Sequence, residues 1–199
     1  GAENDIIINK EGKRFVREDG RRDVISKAIF EQPDGTYWMV HSSDVLDFDT
    51  AKTVEQEDFK KVVEEGKYGW VQADTLEELA EKMDVPYENL KKSFDDYNKS
   101  FDDKVEEDEF GRTLFTYPMK EGPYAAVPRT PALHHTMGGL KIDEGAHVLD
   151  KDGNPIPGLF AAGEVTGGIH GSNRLGSAAI ADITVFGRIA GKNAAEHAK

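Results

Sequence analysis

A backbone cannot run straight through Gly163-Glu164-Val165-Thr166-Gly167-Gly168-Ile169-His170-Gly171-Ser172-Asn173-Arg174-Leu175-Gly176-Ser177-Ala178, where five glycines fall within the 14 residues from 163 to 176. Glycine takes left-handed backbone angles without steric cost and holds no neighbour away, so such a run marks sharp turns or the close approach of a bulky ligand. Upstream, Leu159-Phe160-Ala161-Ala162 reads as a small-residue strand ending at Gly163-Glu164, and downstream residues 177–197 read as one long helix. The order is strand, acidic residue, glycine-rich loop with a cation, helix. It puts a carboxylate at a strand end, where ribose hydroxyls are held, and free N–H groups at the positive end of a helix. On local chemistry alone, a plain glycine-rich turn between strand and helix explains the stretch equally well.

Two further clusters carry polar chemistry. In Leu133-His134-His135-Thr136-Met137-Gly138-Gly139-Leu140, adjacent histidines on extended backbone point to opposite faces. They do not grip one metal; one faces a cleft and the other the core. The glycine pair just beyond again suggests a ligand close to the backbone. Arg17-Glu18-Asp19-Gly20-Arg21-Arg22-Asp23 stands immediately before a helix and, by itself, reads as a charged surface loop. No spacing of His and carboxylates suits a metal, and the absence of cysteine excludes disulfides, thiolate metal sites and Cys nucleophiles.

The two halves of the chain differ in texture. Residues 1 to about 120 hold most of the charge, whereas residues 130–199 are rich in glycine, alanine and small apolar residues. In the first half, Asp5-Ile6-Ile7-Ile8-Asn9 predicts a short buried strand with Arg14-Phe15-Val16 as its hairpin partner. Residues 23–30 predict a helix, and Gly35-Thr36-Tyr37-Trp38-Met39-Val40 a strand after a Pro-Asp-Gly turn. Thr75 with Glu78 three residues on is a capping box, opening a helix that buries Leu76, Leu79, Ala80 and Met83. Pro86 opens another, with Leu90, Phe94, Tyr97 and Phe101 at helical spacing as core. In the second half, residues 140–143 and 147–149 read as a hairpin pair before the turn Asp152-Gly153-Asn154.

Charge narrows the partners. With 38 acidic against 25 basic residues the net charge is -13, which argues against nucleic acid, since phosphate binding needs a basic face. The acid, concentrated between Asp44 and Asp108, reads as a solvated surface. No run approaches the length of a transmembrane helix, and the first residues lack a signal-peptide pattern.

Taken in order, these clusters resemble the soluble fumarate reductase and flavocytochrome c family, which includes urocanate reductases and is a branch of the succinate dehydrogenase flavoprotein superfamily. The resemblance runs over nearly the whole chain. It is carried by Gly12-Lys13-Arg14-Phe15-Val16, Arg22-Asp23, His134-His135-Thr136-Met137-Gly138-Gly139-Leu140, Pro157-Gly158-Leu159-Phe160-Ala161-Ala162-Gly163-Glu164-Val165-Thr166-Gly167-Gly168, His170-Gly171, Asn173-Arg174-Leu175-Gly176 and Phe186-Gly187-Arg188.

The resemblance implies an α+β chain: a capping (clamp) domain over residues 1–128, then the C-terminal strand-and-helix return of an FAD-binding domain over residues 129–199. The implied cofactor is FAD. The implied reaction is reduction of the C=C bond of an unsaturated carboxylate by flavin hydride transfer, with fumarate as the default substrate and urocanate or another enoate as the alternative. By the same resemblance Arg22 is the proton donor, His135 and Arg174 bind a substrate carboxylate, and His134 stands beside them. Glu164 holds the FAD ribose, and Gly138, Gly139, Gly163, Ser177, Ala178 and Ala179 border the cofactor. Family members more often carry Gly and Asn where this chain has Ser177 and Ala178.

No G-x-G-x-x-G follows a strand here, so the expected cradle for the FAD pyrophosphate belongs to an N-terminal half of the same protein that the chain lacks. The chain alone is therefore expected to be inactive. An electron-donor domain or protein is the further implied partner. Two other readings stand beside this one: a module that only binds, its acidic surface docking such a donor, and a steroid dehydrogenase relative, which would need an apolar pocket.

Overall fold

Residues 124–127 alternate between two buried faces, and the first unit is built around that alternation. The computed structural model describes residues 5–47, 51 and 57–199, so residues 48–50 and 52–56 of the acidic stretch lie outside the described residues. It divides into two units, Gly1–Pro131 and Ala132–Lys199.

In the first unit, β1 (Ile6–Ile8), β2 (Tyr37–Ser42), β3 (Val71–Ala73) and β4 (Tyr124–Arg129) form one antiparallel sheet in the order β1-β2-β4-β3. Successive side chains of a strand face opposite ways. Tyr124 and Ala126 therefore join Ile6, Ile8 and Val40 under α3 (Leu76–Met83) and α4 (Tyr87–Asp102). Ala125 and Val127 join Phe59, Val62 and Trp70 on the other face, beneath α2 (Phe59–Glu64).

The capping box forms on one side only. Thr75 Oγ1 accepts from Glu78 N at 3.2 Å, but the Glu78 carboxylate accepts from Asp74 N at 3.3 Å. Leu90, Phe94 and Tyr97 are buried on α4, with Phe94 edge-on to Tyr124 at 5.6 Å. Gly12, at φ +77°, lies so close to the start of α4 that a Cβ there would come within 2.9 Å of the Pro86 carbonyl. Residues 14–16 do not form a second hairpin strand. They make only the bridge Ile8↔Arg14, beside the pairing of Ile8 with Trp38 in β2.

In the second unit, β5 (His147–Leu149) pairs with β6 (Pro155–Phe160), and α5 (Ala178–His197) follows the glycine-rich loop. The hairpin of 140–143 with 147–149 is present as a bridge between Ile142 and Val148, with Asp143 N donating to His147 O at 3.1 Å and Leu149 N to Lys141 O at 2.8 Å. The turn after it is held by Asp150, whose Oδ1 accepts from Asp152 N and Asn154 N, both at 2.9 Å. The strand predicted over 159–162 instead ends at Phe160.

Candidate functional site

In the second unit two backbone segments lie against each other. Leu140 N donates to Val165 O at 2.8 Å, Gly167 N donates to Leu140 O at 3.0 Å, and Leu140 and Thr166 form a parallel bridge. A Cβ on Gly139 would stand 2.3 Å from Val165 O, and one on Gly167 would stand 2.5 Å from Gly139 N. These two glycines are required by chain meeting chain. The sequence suggests a ligand against both members of the 138–139 pair, but at Gly139 the close neighbour is the protein itself. Gly138 and Gly168 differ: both are exposed and a Cβ would meet nothing.

Glu164 follows buried Gly163, which turns the chain at φ +80°. Its Oε1 accepts from Thr136 N at 2.8 Å, which anchors one carboxylate oxygen. The side chain is 53% exposed, so its second oxygen can meet a solvent-side hydroxyl. A carboxylate accepts only, and a ribose diol donates.

His134 and His135 lie in irregular backbone and still face different ways, His134 exposed and His135 buried. The sequence reading gives His135 and Arg174 to a substrate carboxylate with His134 beside them; in the structure the histidine in contact with Arg174 is His134. Arg174 Nη2 is 3.3 Å from His134 Nε2, and since a guanidinium can only donate, the imidazole nitrogen accepts. Arg174 Nη1 donates to Leu175 O at 3.0 Å, while its Nε is buried without a hydrogen-bond partner among the described residues. His135 instead packs edge-to-face on His170, centroids 5.2 Å apart, with its Nδ1 3.9 Å from Glu164 Oε2. His170 Nε2 lies 3.2 Å from Asp182 Oδ2 on α5. Sequence reasoning gave no role to His170 or Asp182. The signal available was an acidic residue inside Ala178-Ala179-Ile180-Ala181-Asp182-Ile183-Thr184-Val185, a segment otherwise free of charge.

The helix starts at Ala178, one residue later than predicted. Ser177 is its N-cap in the left-handed region at φ 64°, and its hydroxyl makes no cap hydrogen bond. In the first turn of α5, Ala178 N donates to Leu175 O at 3.2 Å and Ile180 N to Ser177 O at 3.0 Å.

Arg22 belongs to the first unit. It is the first residue of α1 (Arg22–Phe30), is exposed, and has no hydrogen-bond or ion partner among the described residues. Neighbouring Arg21 pairs with Asp23 at 2.9 Å. The loop before α1 is more than a charged surface. Glu18 is fully buried, held by Arg14 at 2.7 Å and facing Arg112 at 3.4 Å, and Arg14 also reaches Asp108 at 2.8 Å. Burial alone would lower the Arg14 pKa; its bonds to Glu18 and Asp108 outweigh that and hold it above its ordinary value. Asp19 ties the same loop to residues 113 and 114, accepting from Thr113 N at 3.0 Å and Leu114 N at 3.1 Å. A groove of about 340 Å³ beside α4 is lined by Arg14, Lys92, Asp96 and Asp108, but these charges already pair with one another, at 2.8 Å and 2.5 Å, so it is not the site.

No group of three metal-ligating side chains is placed to hold an ion, and no helix is long and apolar enough to cross a membrane, among the described residues.

An exposed carboxylate and a cation on a glycine-rich strand-to-helix turn, with a histidine pair against them, suit a nucleotide cofactor in a protein of mixed helix and sheet. The chain belongs to the FAD binding domain family, whose model matches residues 2–180. It is 46% identical over 194 residues to the NADH:acrylate oxidoreductase of Vibrio harveyi, covering 98% of this chain and 19% of that protein. It is 44% identical to a urocanate reductase of Eggerthella lenta, covering 96% of this chain and 31% of the relative. Among solved structures it is similar to the open conformation of a flavocytochrome c3 fumarate reductase, with TM-score 0.71 and 40% identity, covering 99% of this chain and 34% of that one. The chain thus spans between a fifth and a third of the length of these relatives. FAD is accordingly the cofactor of the complete protein.

Proposed function

We propose that this chain is the C-terminal part of an FAD-dependent reductase of unsaturated carboxylates. Residues 1–128 would act as the capping domain, and residues 129–199 as the return into the FAD-binding domain. The observation that carries the reading is the contact of Arg174 with His134, a cationic corner on the same turn as the exposed Glu164 carboxylate. Acrylate, urocanate and fumarate, named for the three relatives, share a C=C bond conjugated to a carboxylate. A guanidinium beside an imidazole suits that shared group, and fumarate is the default substrate.

The residues present fit part of the cofactor. Glu164 would hold the ribose through its free oxygen. The unobstructed backbone at Gly138, with Gly139 and Gly163 shaping the turns around it, would border the flavin ring, as would the helix start at Ser177, Ala178 and Ala179. Among the described residues no strand-to-helix cradle of the G-x-G-x-x-G kind fits the pyrophosphate, which would fall to an N-terminal half. The exposure of Ile180, Ile183 and Val185 on α5, at 65%, 47% and 52%, supports such a covering half. An electron-donor domain or protein would complete the assembly.

When bound and reduced by that electron donor, FAD would supply a hydride to one alkene carbon and be left oxidised. Arg174 and His134 would hold the carboxylate toward which negative charge moves, more strongly in a site that excludes water. His135 would support that grip from behind rather than form it. Arg22 would deliver a proton to the neighbouring carbon; a guanidinium, with a pKa above about 12, gives one up only to a group as basic as an incipient carbanion.

Adding the N-terminal half tests this directly. The expected outcome is a yellow complex that reduces fumarate, acrylate or urocanate with a reduced dye. A colourless mixture inert toward all three overturns the reading and leaves a module that only binds.

A further inference from the structure

Of the 20 residues of α5, Asp182 alone is buried, while Ile180 and Ile183 on the same helix are exposed. A carboxylate is among the costliest side chains to take out of water, so its burial needs a reason. Its partner is His170 in the glycine-rich loop, at 3.2 Å. Because a carboxylate accepts, His170 Nε2 carries the hydrogen, and this bond fixes both tautomer and ring orientation. The second oxygen of Asp182 is buried without a hydrogen-bond partner among the described residues, so the pairing of this carboxylate falls on His170.

From His170 the contacts continue in one line. Its ring stands at 73° to that of His135, with centroids 5.2 Å apart. His135 Nδ1 faces Glu164 Oε2 at 3.9 Å, and the next residue, Thr136, donates its N–H to Glu164 Oε1 at 2.8 Å. Asp182, His170, His135 and Glu164 therefore join the body of α5 to the carboxylate beside the glycine-rich turn, within one unit. The same line accounts for the inward turn of His135, which leaves His134 to meet Arg174.

We propose that Asp182 and His170 are positioning residues for the cofactor. They fix the His135 ring and with it the adjoining Thr136, whose N–H holds the Glu164 carboxylate in the orientation that meets the FAD ribose. This rests on the reading of Glu164 given above. A purely structural Asp182 would steady α5 without any link to Glu164, and the two cases differ in how their substitutions combine.

The test is the Kd for FAD of the full-length flavoprotein, from flavin fluorescence quenching, in a double-mutant cycle. Asp182→Asn and His170→Leu are each expected to weaken FAD about tenfold, while His170→Gln, which keeps an N–H for Asp182, stays within about threefold of the parent. Glu164→Gln should weaken FAD, and adding Asp182→Asn to it should cost little more. FAD affinity unchanged in Asp182→Asn and His170→Leu, beside a weakened Glu164→Gln, overturns the proposal alone, as do fully additive effects. Unchanged affinity in Glu164→Gln overturns the ribose reading and this proposal with it. Should Asp182→Asn fail to fold, the His170 pair carries the same cycle.

Discussion

The first unit buries its apolar residues and the second leaves many of its own in solvent. Two clusters fill the faces of the four-stranded sheet, one running from Ile6 to Tyr124 under α3 and α4, the other around Phe59 and Trp70. In the second unit the long helix buries an aspartate and exposes isoleucines. Burial of apolar area supplies most of the drive to fold, so the first unit has its stability within itself. The second is shaped by backbone contacts, such as Gly139 against Val165, and by polar pairs around one carboxylate. Its sequence answers to a site more than to a core.

The contrast extends to chemistry, where the largest effects are expected. In the complete protein, Arg22→Ala should lower kcat by roughly a thousandfold while FAD stays bound, as for a lost proton donor. Arg174→Ala should raise KM and lower kcat together, since it would grip both ground and transition states. Steady-state kinetics on fumarate, acrylate and urocanate separate the two. A full-activity Arg22→Ala enzyme would remove the first unit from the chemistry.

Stability measurements on this chain sharpen the comparison next. Leu90 is fully buried and Ile183 is about half exposed. Leu90→Ala should cost about 2–5 kcal/mol in urea unfolding, through lost transfer energy and a cavity. Ile183→Ala should change stability by less than about 0.5 kcal/mol. Equal losses would mean that α5 is as well packed as α4, and the contrast would fail.

Asp19 gives a smaller effect with a pH signature. Its side chain is 1% exposed. Burial pushes its pKa up, but the bonds from Arg17 and Thr113 outweigh this and hold it below the ordinary carboxylate value. A depressed folded pKa contributes stability that is complete above the unfolded value near about 4 and is lost as pH falls through the folded one. Asp19→Asn should therefore cost about 2 kcal/mol at neutral pH and flatten the acid limb of stability against pH below about 4. An unchanged acid limb would show that the loop from Arg17 to Arg21 is not held by this carboxylate.

What the sequence disclosed follows the same division. Helices α3 and α4 were legible from capping residues and apolar spacing, because local rules and tertiary burial agree there. Strand β4 was not. Pro128 argues against a strand that lies between two others, yet β3 reaches only residues 124–126, so the missing N–H of Pro128 costs nothing on that side. The buried Glu18 hid inside what reads as a surface loop, since Arg112, which faces it, and Asp108, which shares its partner Arg14, lie about 90 residues further on. The histidine pair signalled opposite orientations. Which of the two meets Arg174 goes with the packing of His135 on His170, 35 residues away, and no local pattern carries that.

The smallest expected effect lies where the helix of the second unit begins. Ser177 holds φ 64°, a region in which an L side chain crowds its own carbonyl, at roughly 1–2 kcal/mol, and glycine does not. Glycine also has more freedom to lose on folding, by roughly 0.5–1 kcal/mol, and the serine hydroxyl makes no cap bond to forfeit. The difference leaves Ser177→Gly stabilising by up to about 1.5 kcal/mol in thermal or urea unfolding of this chain. A loss of stability instead would mean that the hydroxyl has a partner, and that the start of α5 is tied down by more than its backbone.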